Sequence, residues 1–208
     1  MQSLFQRTDK HLIPALERFT FPGRIEVVQS EAETRRAVSV LRRCPVLGID
    51  TETRPNFKPG AMRPVALLQV STDDICFLFR LNMTGLTPEL VALMEDESIV
   101  KVGLSLGDDL RALQRRHKGL RAGGWVDIQR IVKTMGIDDM SLQKIFANVF
   151  RKRISKSAQL SNWEADVYTD SQKLYAATDA YACLLLYRRL KELQESGEYV
   201  VEEYISEE

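Results

Sequence analysis

Six side chains have the types and spacing to do metal-assisted chemistry if folding brings them together: Asp50 and Glu52, Asp108 and Asp109, and Tyr175 with Asp179. Asp50 and Glu52 close the apolar run VLGIDTE. On a strand they share a face while Thr51 points away. Carboxylates so close repel each other and lose hydration when buried. Either the strand end frays into water and both acids are solvated, or a hard divalent cation turns the repulsion into coordination through oxygen. In SLGDDLRALQRRH, the residues Leu106, Leu110 and Leu113 form an apolar helical stripe. Asp109 falls about 60° from Leu106, at the stripe's edge. Asp108 falls on the far side with Arg111 and Arg115. Asp109 is therefore the candidate ligand, and Asp108 suits the positive end of the helix dipole. A plain helix-start role for both stays open. Tyr175 and Asp179 are four residues apart on a face that continues through Ala182 and Leu186. An Asp on an apolar stripe needs a partner, either a cation or ordinary hydrogen bonds.

These residues need elements to hold them. RIEVVQS (Arg24–Ser30) reads as a strand and EAETRRAVSVLRR (Glu31–Arg43) as a helix. PVLGIDTE (Pro45–Glu52), PVALLQVS (Pro64–Ser71) and ICFLF (Ile75–Phe79) read as strands, the last two joined by a TDD turn. Thr87 before Pro88 starts a helix. SIVKVGL (Ser98–Leu104) is a further strand leading into the Asp108–Asp109 helix, and WVDI another before a helix through Met135. Asp127 in that stretch reads as a helix cap, and Asp138 and Asp139 as turn residues. A helix follows over Ser141–Phe150, then the basic loop RKRISKS (Arg151–Ser157). TDSQ, with Thr169 three residues before Gln172, matches a capping box and opens a long helix through about Gln194. Antiparallel strands followed by alternating strands and helices predict an α/β class with a mixed sheet flanked by helices.

Composition is that of a globular domain: 208 residues, 44% apolar, 28% charged and a formal net charge of zero. A polyanionic partner would have to be met by local patches. Residues 191–208 hold seven Glu and one Lys, so the remainder carries about six net positive charges. Cys44, Cys76 and Cys183 have no CxxC spacing, and His11 and His117 have no partner at zinc spacing. A disulfide framework and a structural zinc are thus not expected, and a reducing compartment is. Without an apolar signal-length core or a membrane-length run, the expected localisation is cytoplasmic, with no membrane partner.

Taken jointly, Asp50-Thr51-Glu52, the KVGLSLGDDLRAL segment with Asp109 before Leu110, and Tyr175-x-x-x-Asp179 resemble the three ordered motifs of the DEDD superfamily of 3′–5′ exonucleases. The Tyr points to its tyrosine-containing branch, which includes the Werner-syndrome exonuclease domain and the ribonuclease D catalytic domain. LSNWEADVYTDSQKLYAATDAYACLLLYRRL extends the likeness, which runs from about Arg24 to Leu190. The resemblance implies a ribonuclease H-like fold with a mixed five- or six-stranded sheet. It implies that Asp50, Glu52, Asp109 and Asp179 hold two divalent cations, Mg²⁺ or Mn²⁺, and that Tyr175 orients the attacking water. It also implies nucleic acid with a free 3′ end as partner and nucleoside 5′-monophosphates as products. Thr51 between the acids, and Arg54, Phe57, Lys58 and Arg63 just beyond, are candidate substrate contacts, because cations beside an aromatic suit phosphates and a stacked base. The alternative is a non-catalytic nucleic-acid-binding module retaining the fold, which loss of a ligand would favour. The expected organisation is an extension over 1–23, the exonuclease domain over 24–195 and an acidic tail over 196–208.

Overall fold

A computed structural model of the protein describes residues 1–56 and 63–203. In chain order the first half holds β1 (Gln2–Phe5), β2 (Glu17–Arg18), β3 (Arg24–Val28), α1 (Glu31–Leu41), β4 (Val46–Glu52), β5 (Leu67–Ser71), β6 (Ile75–Arg80), α2 (Leu81–Thr84) and α3 (Pro88–Glu95). The second half holds β7 (Val100–Gly103), α4 (Leu106–Gln114), β8 (Trp125–Asp127), α5 (Ile128–Thr134), α6 (Leu142–Phe150), β9 (Lys152–Arg153), α7 (Asp170–Ser196) and β10 (Tyr199–Glu202).

Six strands form one mixed sheet in the order β3-β6-β5-β4-β7-β8. Only β5 runs against the rest, pairing antiparallel with both β4 and β6. The other three pairings are parallel. Alternation along each strand divides the core into two layers. Leu47 and Ile49 of β4 join Leu68, Val70, Phe77 and Phe79 under α1, α3 and α4. On the opposite face, Leu67, Cys76 and Leu78 meet Ala176 and Ala177 of α7. Helices α5 and α6 close over α7 through Val132, Ile145, Phe146 and Leu186.

Local signals explain the helix starts. Ser30 and Glu33 form a capping box at α1, and Thr169 and Gln172 form the expected one at α7. Thr87 caps α3 with Pro88 at its first position.

The chain also makes pairings that no alternation revealed. β1 pairs in parallel with β10, and β2 with β9. Residues placed outside the core domain by the sequence are thus joined to each other and to it: Asn148 of α6 accepts from Phe5 N at 2.8 Å and donates to Phe5 O at 2.7 Å. Part of the basic loop after α6 is the strand β9.

One close approach sets the position of α7. A Cβ at Gly48 would collide with the Ala180 carbonyl and stand 3.1 Å from Leu184 Cβ. Gly48, Asp50 and Glu52 share the face turned to α7. Overpacking of this kind costs about 1–3 kcal/mol. Gly48→Ala is therefore expected to lower the melting temperature by about 2–4 °C for each kcal/mol, read by circular dichroism. An unchanged melting temperature would contradict the contact.

Candidate active site

The end of β4 delivers side chains to both faces of the sheet. Asp50 and Glu52 turn toward α7, where Tyr175 and Asp179 lie one turn apart. Carboxylate oxygens of Asp50, Glu52 and Asp179 all lie within 4.8 Å of one another. Thr51 faces the other way, and its hydroxyl donates to Asp109 of α4. Asp109 therefore borders the trio at the same strand end, held by a residue of the opposite face. Ser105, with φ of 58°, makes the left-handed turn from β7 into α4. The Asp127 carboxylate secures that turn, accepting from Ser105 N at 3.2 Å and Leu106 N at 3.0 Å.

Burial and mutual repulsion dominate the electrostatics. Burial holds the Asp50 carboxyl well above the usual range, reinforced by Asp109, Glu52 and Asp179. Glu52 is pushed up to about 9 by burial and then by Asp179 and Asp109. Burial raises Asp179 to about 7, against an opposing hydrogen bond from Tyr175. Asp109 rises to about 6 through burial, moderated by the Thr51 hydroxyl. The Tyr175 phenol hydrogen-bonds Asp179 and Glu52, and burial with these carboxylates holds it far above its ordinary range. Trp163, fully buried, lies 6.1 Å from the Tyr175 ring and supports it from behind.

The three carboxylates of the trio, with neither His nor Cys among them, are a hard-oxygen donor set, and their crowding, with Asp109 alongside, is what a divalent cation relieves. The residues present fit such ions. The cavity over them, about 300 Å³, is also lined by Gln143, Ser155 and Lys156. Lys156 is the cation whose field reaches Asp179. No spacing rule marks these three residues beforehand.

Asp108 and Asp109 separate as the helical angles require. Asp108 is exposed and paired with Arg111, while Asp109 is half-buried at the site. Asp127 caps α5 through Gln129 N at 2.9 Å and stays out of the trio. Arg54 and Arg63 are not free cations: both pair with Glu164, at 3.1 and 3.0 Å. Sequence reasoning missed Glu164, since nothing local links it to residues a hundred positions away. Phe57 and Lys58 lie outside the described residues. Within the basic loop, Arg151 stacks 4.4 Å over Phe5 and Lys152 pairs with Glu17 at 3.4 Å.

Comparison with known proteins follows this geometry. A model of a family described as 3′–5′ exonuclease matches residues 25–195. The mouse bifunctional 3′–5′ exonuclease/ATP-dependent helicase WRN is 33% identical over 160 residues, covering 74% of this chain and 11% of that protein. The exonuclease 3′–5′ domain-containing protein 2 of Drosophila melanogaster is 33% identical over 177 residues, covering 80% of this chain and 30% of that protein. The matched region thus spans at most three tenths of these two relatives. The exonuclease domain of Aedes aegypti Nibbler has a TM-score of 0.77 at 19% identity, covering 87% of this chain and 94% of that one. Escherichia coli RNase D has a TM-score of 0.72 at 20% identity, covering 83% and 45%. The six-stranded mixed sheet is accordingly the ribonuclease H-like fold of these exonucleases, the larger of the two strand counts expected.

The electrostatics gives a test that needs no substrate. Glu52 and Asp179 bind protons in the folded state that they have lost in the unfolded one, so the cation-free protein should lose stability as pH rises from about 5 to about 9. In EDTA, Asp50→Asn should raise the melting temperature by several degrees and flatten that decline, and Mg²⁺ or Mn²⁺ should do the same for the unsubstituted protein. A variant less stable than its parent at pH 8 in EDTA would refute the repulsion.

Proposed function

The chain belongs to the 3′–5′ exonuclease family, as a DEDD-type enzyme, and we propose that it removes nucleoside 5′-monophosphates one at a time from the 3′ end of a nucleic-acid strand, using two divalent cations. The observation that carries this reading is the convergence of Asp50, Glu52 and Asp179, with Asp109 beside them, at one strand end under a cavity of about 300 Å³. The likeness to Trypanosoma brucei RNase D, solved in complex with RNA U12, supports a nucleic-acid strand as substrate.

In the proposed reaction a water oxygen forms a bond to the terminal phosphorus, the bond to the 3′ oxygen of the preceding nucleotide breaks, and that oxygen takes up a proton. Asp50, Glu52, Asp109 and Asp179 would hold the cations, Mg²⁺ or Mn²⁺. Bound there, these would supply Lewis acidity, lowering the pKa of a water and neutralising charge that develops at the phosphate. Tyr175, its phenol held above the ordinary range by burial and the neighbouring carboxylates, would orient the water by donating a hydrogen bond rather than by taking a proton from it. That role is the one the tyrosine-containing branch would give this residue. Thr51 holds Asp109 and thereby orders a ligand, in addition to any contact with the strand. Arg54 and Arg63, bound to one Glu164, present one net positive charge beside the site that a phosphate can meet. The three free cysteines suit a reducing, cytoplasmic setting, and no helix among the described residues is long and apolar enough to cross a membrane.

Shortening of a 5′-labelled single strand from its 3′ end in Mn²⁺ or Mg²⁺ should cease in EDTA. Asp109→Asn should lower the rate by roughly 10³-fold or more, while Asp108→Asn stays within about twofold. Tyr175→Phe, which removes only the oriented hydroxyl, should cost roughly 10²-fold in kcat. Equal losses in Asp108→Asn and Asp109→Asn would undo the ligand assignment.

A further inference from the structure

The active-site cavity does not end at the carboxylates. Ser141, Gln143 and Lys156 line it and also line a second, larger groove of about 570 Å³. The far side of that groove is built by Lys10, Ile13 and Pro14, and its floor by Lys144 and Arg153. Four cations thus line one open channel, and among the described residues no carboxylate lines it. Among the described residues, the one ion pair these cations make is that of Lys144 with the buried Asp139, at 3.5 Å. Arg153 is steadied by Nε donating to Leu16 O at 3.0 Å, which leaves its two terminal nitrogens without a partner among the described residues.

The outer wall comes from outside the family match, which begins at residue 25. It is held in place by the β2–β9 pairing, with Phe19 N donating to Arg153 O at 2.8 Å. The same pairing carries Arg18, an exposed cation, to a niche shared with Ser155 and Tyr175 at the edge of the active-site cavity. A chain with zero net charge has therefore set its cations beside a cavity floored with acids. Among the described residues nothing aromatic lines the groove, and its lysines and arginine suit phosphates rather than stacked bases.

We propose that this groove binds the phosphodiester backbone of the single strand upstream of the 3′ end, and that the N-terminal segment contributes Lys10 on its wall and Arg18 in the adjoining niche. The substrate class rests on the exonuclease reading above; the location and the role of the N-terminal segment do not come from it. Phosphate contacts of this kind are independent of sequence and fall with salt, each contributing about 0.7 to the slope of log K against log salt on single strands.

The test uses the full chain and labelled DNA and RNA strands of about 20 nucleotides, with anisotropy read in EDTA so that no chemistry intervenes. Lys10→Glu with Arg18→Glu should weaken binding on the order of tenfold and lower the salt slope by about 1.4. Lys10→Arg with Arg18→Lys should bind as the parent does. Both side chains are exposed, and an unchanged circular dichroism melt confirms that the fold survives. Loss on RNA alone or DNA alone supports the groove and identifies the polymer it takes. An unchanged affinity and slope on both polymers would overturn the proposal. If the strand binds in this charge-dependent way yet is not shortened in Mg²⁺ or Mn²⁺, the groove stands and the hydrolytic reading falls.

Discussion

Helix α7 can lie against β4 only because position 48 has no side chain. That contact brings the backbone at Ala180 onto the strand and, with it, Asp179 onto Asp50 and Glu52. Small residues at 176, 177 and 180 keep this helix face close to the sheet. Everything chemical in the protein depends on this spacing. A helix held a side chain further away would leave each acid with its own water, and none would need a cation. Packing therefore does the electrostatic work: burial of Leu184, Leu186 and Leu190 supplies the free energy that holds carboxylates together against their repulsion.

The sheet solves a second problem by alternation. Asp50 and Glu52 must share a face, and the residue between them must face away. Thr51 uses that outward direction to hold Asp109, so one three-residue stretch organises both sides of the site. Asp127 plays the complementary part at the neighbouring strand end, where its carboxylate secures the left-handed turn that launches α4. Among the described residues, Lys156 alone of the nearby cations shares the cavity with the acids. Arg54 and Arg63 converge on Glu164, and Lys10, Lys144, Arg153 and Lys156 gather in the adjoining groove.

Much of this was legible in the sequence, for identifiable reasons. The sheet strands and the main helices announce themselves through alternation, helical spacing and caps, and the split between Asp108 and Asp109 follows from helical angles alone. The two short parallel ribbons do not, because two-to-four-residue strands such as Glu17–Arg18 carry no periodicity to read. The same limit hid the partner of Arg54. A run of cations after a motif looks like a substrate loop, yet Glu164 lies 110 residues from Arg54 and only the fold connects them. Likewise, of the cations in RKRISKS, Arg151 stacks on Phe5 and Lys152 meets Glu17, and which of the run faces the cavity is decided by the pairing with β2.

The acids of the cage come from β4, α4 and α7, in that order along the chain. A chain without α7 would hold Asp50, Glu52 and Asp109 but neither Tyr175 nor Asp179, so the strands alone cannot assemble the trio, however well they pair.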